Sequence, residues 1–179
     1  LGEEFNTIED FRNKIREEMT ASEEKRINNE LRLRLLDKIS ETVDFELPES
    51  LVEYEINASI ENIKQRMSRA GGDLEKSGFD QERLREEIRP AARKSVKNMF
   101  IIGYIANQNK ITVDETDITD GFSRMAENFG ASGEMMRQYY EANNLMDSYR
   151  NSLLREKTLN YLVDNARIIT ADRENITHK

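Results

Sequence analysis

Residues 8–41 read IEDFRNKIREEMTASEEKRINNELRLRLLDKISE and contain neither proline nor glycine. The large apolar residues of this segment recur mainly at spacings of three and four, which places them along one face of a helix. These residues are Ile8, Phe11, Ile15 and Met19, followed after a polar stretch by Ile27, Leu31, Leu35, Leu36 and Ile39. As a single helix the segment is about 50 Å long at 1.5 Å per residue.

The rest of the chain carries similar helical signals, with recognisable starts and stops. Pro48 suits the first turn of a second helix, because its missing N–H has no partner there in any case. Asp80, Asp114 and Ser132 are typical N-cap residues, and Gly71-Gly72 and Gly130 are typical stops. The predicted helices are 8–41, 48–70, 80–109, 114–130, a short helix from 132, and 144–168.

These patterns predict an all-α, irregular multihelical and elongated fold with long helical hairpin arms. Residues 8–41 and 48–70 are expected to form one such hairpin around a turn at 44–47. Residues 1–169 are predicted to form a single helical domain and residues 170–179 a frayed tail. Because the chain begins at Leu1 without Met, we expect it to be a fragment of a larger protein.

The composition narrows the choice of partners. The chain has 179 residues, of which 37% are apolar and 35% charged, whereas about 25% charged is usual. Acidic residues outnumber basic ones by 35 to 27, for a net charge of −8. Binding to nucleic acid or to anionic membranes depends on an excess of Lys and Arg. We therefore expect neither nucleic acid nor a membrane as a direct partner.

Residues suited to catalysis or metal binding are scarce. There is no cysteine, and His178, the one histidine, lies beside the chain end. Adjacent carboxylates such as Glu17/Glu18 and Glu86/Glu87 alternate with Lys and Arg, which favours exposed ion pairs over acid–base catalysis. A carboxylate metal site in a helical bundle needs a Glu-x-x-His motif, which is missing. The sequence predicts no catalytic residue, no metal, no cofactor and no enzymatic activity.

Methionine and aromatic residues concentrate between residues 99 and 146. Flexible, polarizable methionine adapts to apolar partners of different shape, and an uncovered apolar patch marks a binding surface. Core packing is the other interpretation of the same residues. The candidate binding residues are Met99, Phe100, Tyr104, Phe122, Met125, Phe129, Met135, Met136, Tyr139, Tyr140, Met146 and Tyr149.

Several short motifs occur in an order that is familiar from one family. They are LGEEF at 1–5, FELPESLVE at 45–53, RPAAR at 89–93, ITVD at 111–114, YEANNL at 140–145 and LLREKTL at 153–159. In this order they resemble the C-terminal domain of bacterial trigger factor, a ribosome-associated chaperone. The same helical fold is similar to the peptide-binding core of the periplasmic chaperone SurA.

The resemblance implies a bacterial, cytoplasmic, ATP-independent chaperone domain that binds unfolded or nascent polypeptides. Full-length family members also carry a ribosome-docking domain and a prolyl isomerase domain, and neither is expected in this chain. Contact with the ribosome is then expected only through the missing N-terminal domain. The candidate residues rest on the Met/aromatic clustering, since the family's client-binding residues form no motif.

Two alternatives stay open at this point. The Met/aromatic surface could pack against one fixed protein partner or a second copy of the chain, which would make the protein a structural interaction module. A periplasmic SurA-like chaperone is the other alternative, because the N-terminus of the natural protein is expected to be missing.

Overall fold

The computed structural model describes residues 7–72 and 80–167, with the side chains of residues 128 and 129 excepted. Within those ranges the chain forms six α-helices and no strand, which confirms the all-α prediction. The helices are α1 Ile8–Thr42, α2 Glu49–Arg69, α3 Gln81–Gln108, α4 Glu115–Phe129, α5 Gly133–Ala142 and α6 Met146–Asp164. The predicted tail at 170–179 and His178 lie outside the described residues.

The helix starts follow from the capping residues. The N–H of Asp10 donates to Thr7 Oγ1 at 3.0 Å, and the N–H of Thr7 donates to Asp10 Oδ2 at 2.9 Å. Asp114 and Asp117 make the same reciprocal pair at the start of α4, at 2.9 and 3.0 Å. Such pairs satisfy two N–H groups that a helix start would otherwise leave unbonded. This explains why the predicted and observed starts agree closely.

The described chain divides into two compact units. The first holds residues 7–38 and 159–167, and the second holds residues 39–72 and 80–158. In the first unit, Leu36 and Leu159 are buried, and the Arg32 guanidinium donates to Asn160 Oδ1. A row of large apolar side chains on α1 is exposed. It comprises Ile8, Phe11, Ile15, Met19 and Ile27.

In the second unit, α2 and α3 pack antiparallel as a helical hairpin. Its apolar seam consists of Val52 and Ile56 on α2 and Ala92 and Val96 on α3. Along one edge runs a row of ion pairs between the two helices. They are Arg93–Glu49 at 3.0 Å, Arg89–Glu49 at 2.5 Å, Arg89–Glu53 at 2.7 Å and Arg85–Glu53.

The sequence pattern predicts the preceding helix as the hairpin partner of α2, and this prediction is wrong because α2 packs against α3. Apolar periodicity indicates which residues share one face of a helix, but it does not select the helix that packs against that face. The selective signal is the charge spacing, because Glu49 and Glu53 repeat every four residues, as do Arg85, Arg89 and Arg93. This match of rows, 32 to 44 residues apart in sequence, identifies α3 as the partner.

A second apolar cluster connects α4 with α6. It consists of Ile118, Phe122, Tyr149 and Leu153, all buried. Gly121 allows the close approach, since a Cβ atom at that position would lie 2.2 Å from Tyr149 Oη. Lys157 Nζ on α6 donates to Asp117 Oδ2 on α4 at 2.6 Å. Partly buried side chains cover the cluster, namely Val113, Met125, Met136, Tyr140 and Met146.

Candidate functional site

An apolar groove lies beside the second half of α3, and we call it the first groove. It is lined by Ile39, Val43, Phe45, Phe100, Ile101, Tyr104 and Ile105 and has a volume of about 420 Å³. The rings of Phe45 and Phe100 meet edge to face, with centroids 6.1 Å apart and planes at 74°. Phe45, Phe100 and Tyr104 remain exposed, and Tyr104 keeps 67% of its surface accessible. The groove is therefore an open aromatic surface.

The groove has its shape because the last turn of α1 and the following loop are held beside α3. Lys97 Nζ on α3 donates to the backbone carbonyl of Ser40 at 2.8 Å. A helix leaves its last four carbonyls without helical partners, and the lysine satisfies one of them. Phe45 lies in this loop, four residues before the start of α2 at Glu49. The local sequence thus places a phenylalanine against α3.

A second groove lies beside the same helix, and its lining is mixed. It has a volume of about 430 Å³. The lining residues are Met99, Ile102, Gly103, Ser148, Asn151, Ser152, Leu154 and Arg155. The members from α6 fall at spacings of three and four, so they occupy one side of that helix. Hydroxyl, amide and guanidinium groups thus border an apolar floor.

A third exposed region lies on α5. Met135 and Tyr139 are exposed, Met135 by 64%, whereas Met136 and Tyr140 are half-buried against the α4–α6 cluster. Tyr140 meets both Tyr139 and the buried Tyr149 edge to face, at centroid distances of 6.0 and 5.2 Å. These three rings form a continuous aromatic path from the core to the surface.

The twelve candidate residues therefore separate into distinct groups. Five are exposed, namely Met99, Phe100, Tyr104, Met135 and Tyr139. Four are half-buried, namely Met125, Met136, Tyr140 and Met146. Phe122 and Tyr149 are buried core side chains, and burial raises the pKa of Tyr149. Phe129 ends α4, and its side chain lies outside the described part of the chain.

Sequence reasoning missed several groove residues. Val43 and Phe45 line the first groove, yet they lie outside the stretch 99–146 in which the Met/aromatic clustering was found. The spacing of the apolar row on α1 predicts a helical face but does not show that this face is uncovered, and Met19 is 68% exposed. The signal in the sequence for this groove is an apolar residue, Phe45, shortly before the proline that begins α2.

Four carboxylates of the described residues have a pKa that their basic partners lower. Hydrogen bonds from Arg150 and Arg137 hold the pKa of Glu115 below its usual range. A hydrogen bond from Lys157 does the same for the pKa of Asp117. A carboxyl group that acts as a general acid needs the opposite, a pKa raised by burial. The pKa values of Glu23 and Glu53 are likewise lowered, by Arg26 and by Arg89 with Arg85.

Among residues 7–72 and 80–167, no three His, Cys, Asp or Glu side chains are grouped so that they could hold a metal ion. No helix in the same ranges combines the length and apolar character needed to cross a bilayer. The grooves beside α3 and the exposed face of α5 are thus the candidate surfaces for binding.

Comparison with solved structures supports the fold. A structure of trigger factor domains from Thermotoga maritima superimposes with a TM-score of 0.60, at 23% identity, over 78% of this chain and 83% of that one. A second structure, of the trigger factor chaperone, gives a TM-score of 0.59 at 22% identity, over 91% of this chain and 40% of that one. At such identities the likeness concerns the fold.

Comparison of sequences identifies the family of the chain as well as its fold. Trigger factor of Syntrophotalea carbinolica is 32% identical over 180 residues, which cover 97% of this chain and 41% of that protein. Trigger factor 1 of Desulfitobacterium hafniense is 31% identical over 167 residues, covering 91% and 39%. The chain thus spans about two fifths of the length of these relatives. The family described as the C-terminus of bacterial trigger factor protein matches residues 7–164. The chain therefore belongs to the bacterial trigger factor family and corresponds to the C-terminal part of its members.

Proposed function

We propose that this chain is an ATP-independent chaperone domain that binds unfolded or nascent polypeptides in the bacterial cytoplasm. The observation that carries the proposal is the uncovered apolar surface of α3, where Phe100 and Tyr104 stand exposed beside the first groove. A large exposed apolar patch on a protein with this much charge is typical of an interaction surface. An unfolded polypeptide exposes the apolar side chains that would fill it.

The proposed contact residues are those that the solvent can reach. Phe45, Phe100 and Tyr104 form the aromatic part of the surface, and Met99, Met135 and Tyr139 extend it. Methionine side chains re-pack around partners of different shape at low cost, which suits a surface that binds many sequences. The half-buried residues Met125, Met136, Tyr140 and Met146 would adjust beneath this surface, and Phe122 and Tyr149 would support it from the core.

Breadth of binding also has support from a relative. The trigger factor chaperone in the second structure compared above recognises substrates promiscuously in its folding and assembly activities. Shallow, separate apolar patches suit such recognition, because several weak contacts on one chain add up through effective concentration. The first groove and the exposed face of α5 offer two such patches in this chain. Neither requires nucleotide, and we propose no enzymatic activity for them.

The surrounding charge has a role in this proposal. Ion pairs such as Arg83–Glu87 and Arg137–Glu141 lie exposed on the helices, and the chain carries a net charge of −8. Charged surfaces and a net charge far from zero keep proteins dissolved. A complex with an aggregation-prone polypeptide would then remain in solution. Ribosome contact is assigned to the part of the full-length relatives that this chain does not span.

The experiment is a test of aggregation suppression without nucleotide. A chemically denatured client is diluted into buffer with increasing amounts of the chain, and light scattering is followed. The chain should suppress scattering at a small molar excess, and Phe100→Ser with Tyr104→Ser should weaken this several-fold. Tyr54→Ser is the matched control, because Tyr54 is 71% exposed on α2 and lines neither groove.

Two results would contradict the proposal. Absence of protection at several-fold molar excess would remove the chaperone role. The variant with Phe100→Ser and Tyr104→Ser could instead lose the binding of a single stoichiometric partner and still protect unrelated clients. That result would identify the chain as a module for one fixed partner. A client panel of unrelated sequences separates these outcomes, since a promiscuous surface loses affinity for all members to a similar modest degree.

A further inference from the structure

The second groove differs from the first in its chemistry. One wall carries Ser148, Asn151 and Ser152, and of the described residues that line it, Arg155 is the charged one. Arg155 is exposed and makes no hydrogen bond or ion pair within the described part of the chain. By contrast, Arg150, on the same helix, is held by Glu115 at 2.9 Å. A free guanidinium thus stands beside an apolar floor in a protein with a net charge of −8.

The two grooves are separated by α3, and at Gly103 no side chain projects from the surface of this helix. The first groove uses Phe100, Ile101 and Tyr104 of this helix, whereas the second uses Met99, Ile102 and Gly103. Gly103 is exposed, and a Cβ atom at its position would meet nothing within 4 Å. Without a side chain there, another backbone can approach the helix closely.

The distance across the helix suits an extended polypeptide. A helix with its side chains is about 10 Å wide, and an extended chain advances about 3.3 Å per residue. About three residues therefore cross α3, and the side chains on either side of the crossing reach separate grooves. The hydroxyl and amide groups of Ser148, Asn151 and Ser152 can bond the polar backbone of such a segment as it leaves the helix.

The groove chemistry also discriminates between client segments. A purely apolar segment over the second groove would take the guanidinium of Arg155 partly out of water without giving it a partner, and burying an unpaired charge is unfavourable. A carboxylate beside the apolar side chain supplies that partner, and Arg binds carboxylates with two parallel hydrogen bonds. The second groove therefore favours apolar residues that have an Asp or Glu close to them in the sequence.

We propose that an extended client segment crosses α3 over Gly103, with one apolar side chain in each groove and an acidic side chain paired with Arg155. This inference rests on the proposed chaperone function and deepens it, because it names a preferred class of client sequence. The surface selects apolar segments that carry a carboxylate on one side, even though the whole protein is acidic.

The test uses two short fluorescent peptides that cannot fold. Both carry the same apolar residues, and they differ only in two glutamates that are replaced by glutamines in the second peptide. Binding to the intact chain is measured by anisotropy at low and at high salt. The glutamate peptide should bind about threefold more tightly at low salt, the effect of one partly exposed ion pair, and the difference should fade at high salt.

Variants locate the effect. Arg155→Glu should reverse the preference, whereas Arg66→Glu, which makes the same change in net charge on α2, should leave it intact. Gly103→Ala should weaken both peptides, and it should leave unchanged a truncated peptide with a single apolar residue. Equal weakening of the two long peptides by Arg155→Glu would overturn the assignment of the carboxylate.

Two further outcomes separate this inference from the proposed function. If neither peptide binds but denatured clients are still protected, the inference is overturned and the chaperone role stands. If clients are not protected either, the proposed function itself fails. A change of oligomeric state in Arg155→Glu, followed by sedimentation, would show that the second groove holds another copy of the chain and would also overturn the inference.

Discussion

The ring of Phe122 stacks on the ring of Tyr149, with centroids 4.3 Å apart and planes 22° from parallel. This contact joins α4 to α6 in the apolar cluster of the second unit. Offset stacking of this kind adds to the free energy gained from burying the two rings. The Tyr149 hydroxyl lies at the edge of the stack, buried and without a hydrogen-bond partner among the described residues.

Phe122→Ala should destabilise the chain by about 3–5 kcal/mol, because it empties a side-chain volume that is 99% enclosed and removes the stacking partner of Tyr149. Urea unfolding followed by circular dichroism would measure this loss. Tyr139→Ala is the matched aromatic control, and since Tyr139 is exposed its effect should be within about 0.5 kcal/mol. Similar losses for both variants would contradict the assignment of Phe122 to the core.

Two helical glycines should respond in opposite directions to the same substitution. Alanine is favoured over glycine inside helices by about 0.5–1 kcal/mol. At Gly103 the new methyl group meets nothing within 4 Å, so Gly103→Ala should stabilise the chain by about that amount. At Gly121 the methyl group would lie 2.2 Å from Tyr149 Oη, so Gly121→Ala should destabilise it. Thermal unfolding of the pair checks the sign of each change.

Removing the Tyr149 hydroxyl should partly rescue Gly121→Ala. Tyr149→Phe alone should be neutral or stabilising, because it deletes a buried polar group that has no partner. In the double variant the nearest remaining atoms to the new methyl group are Leu153 Cδ2 at 3.2 Å and Tyr149 Cζ at 3.3 Å. A double-mutant cycle should show a favourable coupling between the two positions. Simple additivity would contradict the contact.

Much of this fold could be predicted from the sequence, and the reasons are local. Thr7, Asp80, Asp114 and Ser132 bond the first N–H groups of their helices through short-range contacts, which sequence spacing reveals directly. The partner of α2 was not predicted correctly, because helix pairing depends on side chains far apart in sequence, such as Glu49 and Arg93.

The candidate site was predictable only in part, for a related reason. Methionine and aromatic residues fill cores and form binding surfaces with the same spacing. Phe122 and Phe100 look alike in sequence, yet Phe122 is buried between α4 and α6 whereas Phe100 is open to solvent beside Phe45. Which of them is covered depends on the packing of neighbouring helices. The clustering between 99 and 146 therefore found the right region but mixed its two kinds of residue.

Acid should weaken the contacts that hold α4, α5 and α6 together. The Arg150 and Arg137 hydrogen bonds give Glu115 a lower pKa in the folded chain than the usual value of 4.5 in the unfolded one. Such a group stabilises the fold above its unfolded pKa and loses that contribution as the pH falls through its folded pKa. Stability should therefore be level near neutral pH and should decline at pH values below about 4.5.

Glu115→Gln tests the source of this decline. The variant should be less stable than the parent chain at neutral pH and should lose less stability on acidification, because it has no carboxylate to protonate. Glu127→Gln is the control, since Glu127 makes no ion pair within the described part of the chain. Urea unfolding midpoints measured from pH 7 down to pH 3 would show it. Parallel pH curves for the parent and Glu115→Gln would exclude Glu115 as the cause.

The ion-pair row of the α2–α3 hairpin repeats every four residues on both helices. A shift of one helix along the other by a single turn, about 5.4 Å, would bring Glu53 towards Arg93 and Glu61 towards Arg85. Most of the charges would find new partners, so electrostatics holds the helices side by side without fixing their longitudinal position. That position depends on the seam, where the small Ala92 lies among Val52, Ile56 and Val96. In this hairpin the ion pairs therefore keep the two helices side by side, and the packing of the apolar seam fixes how far one helix is shifted along the other.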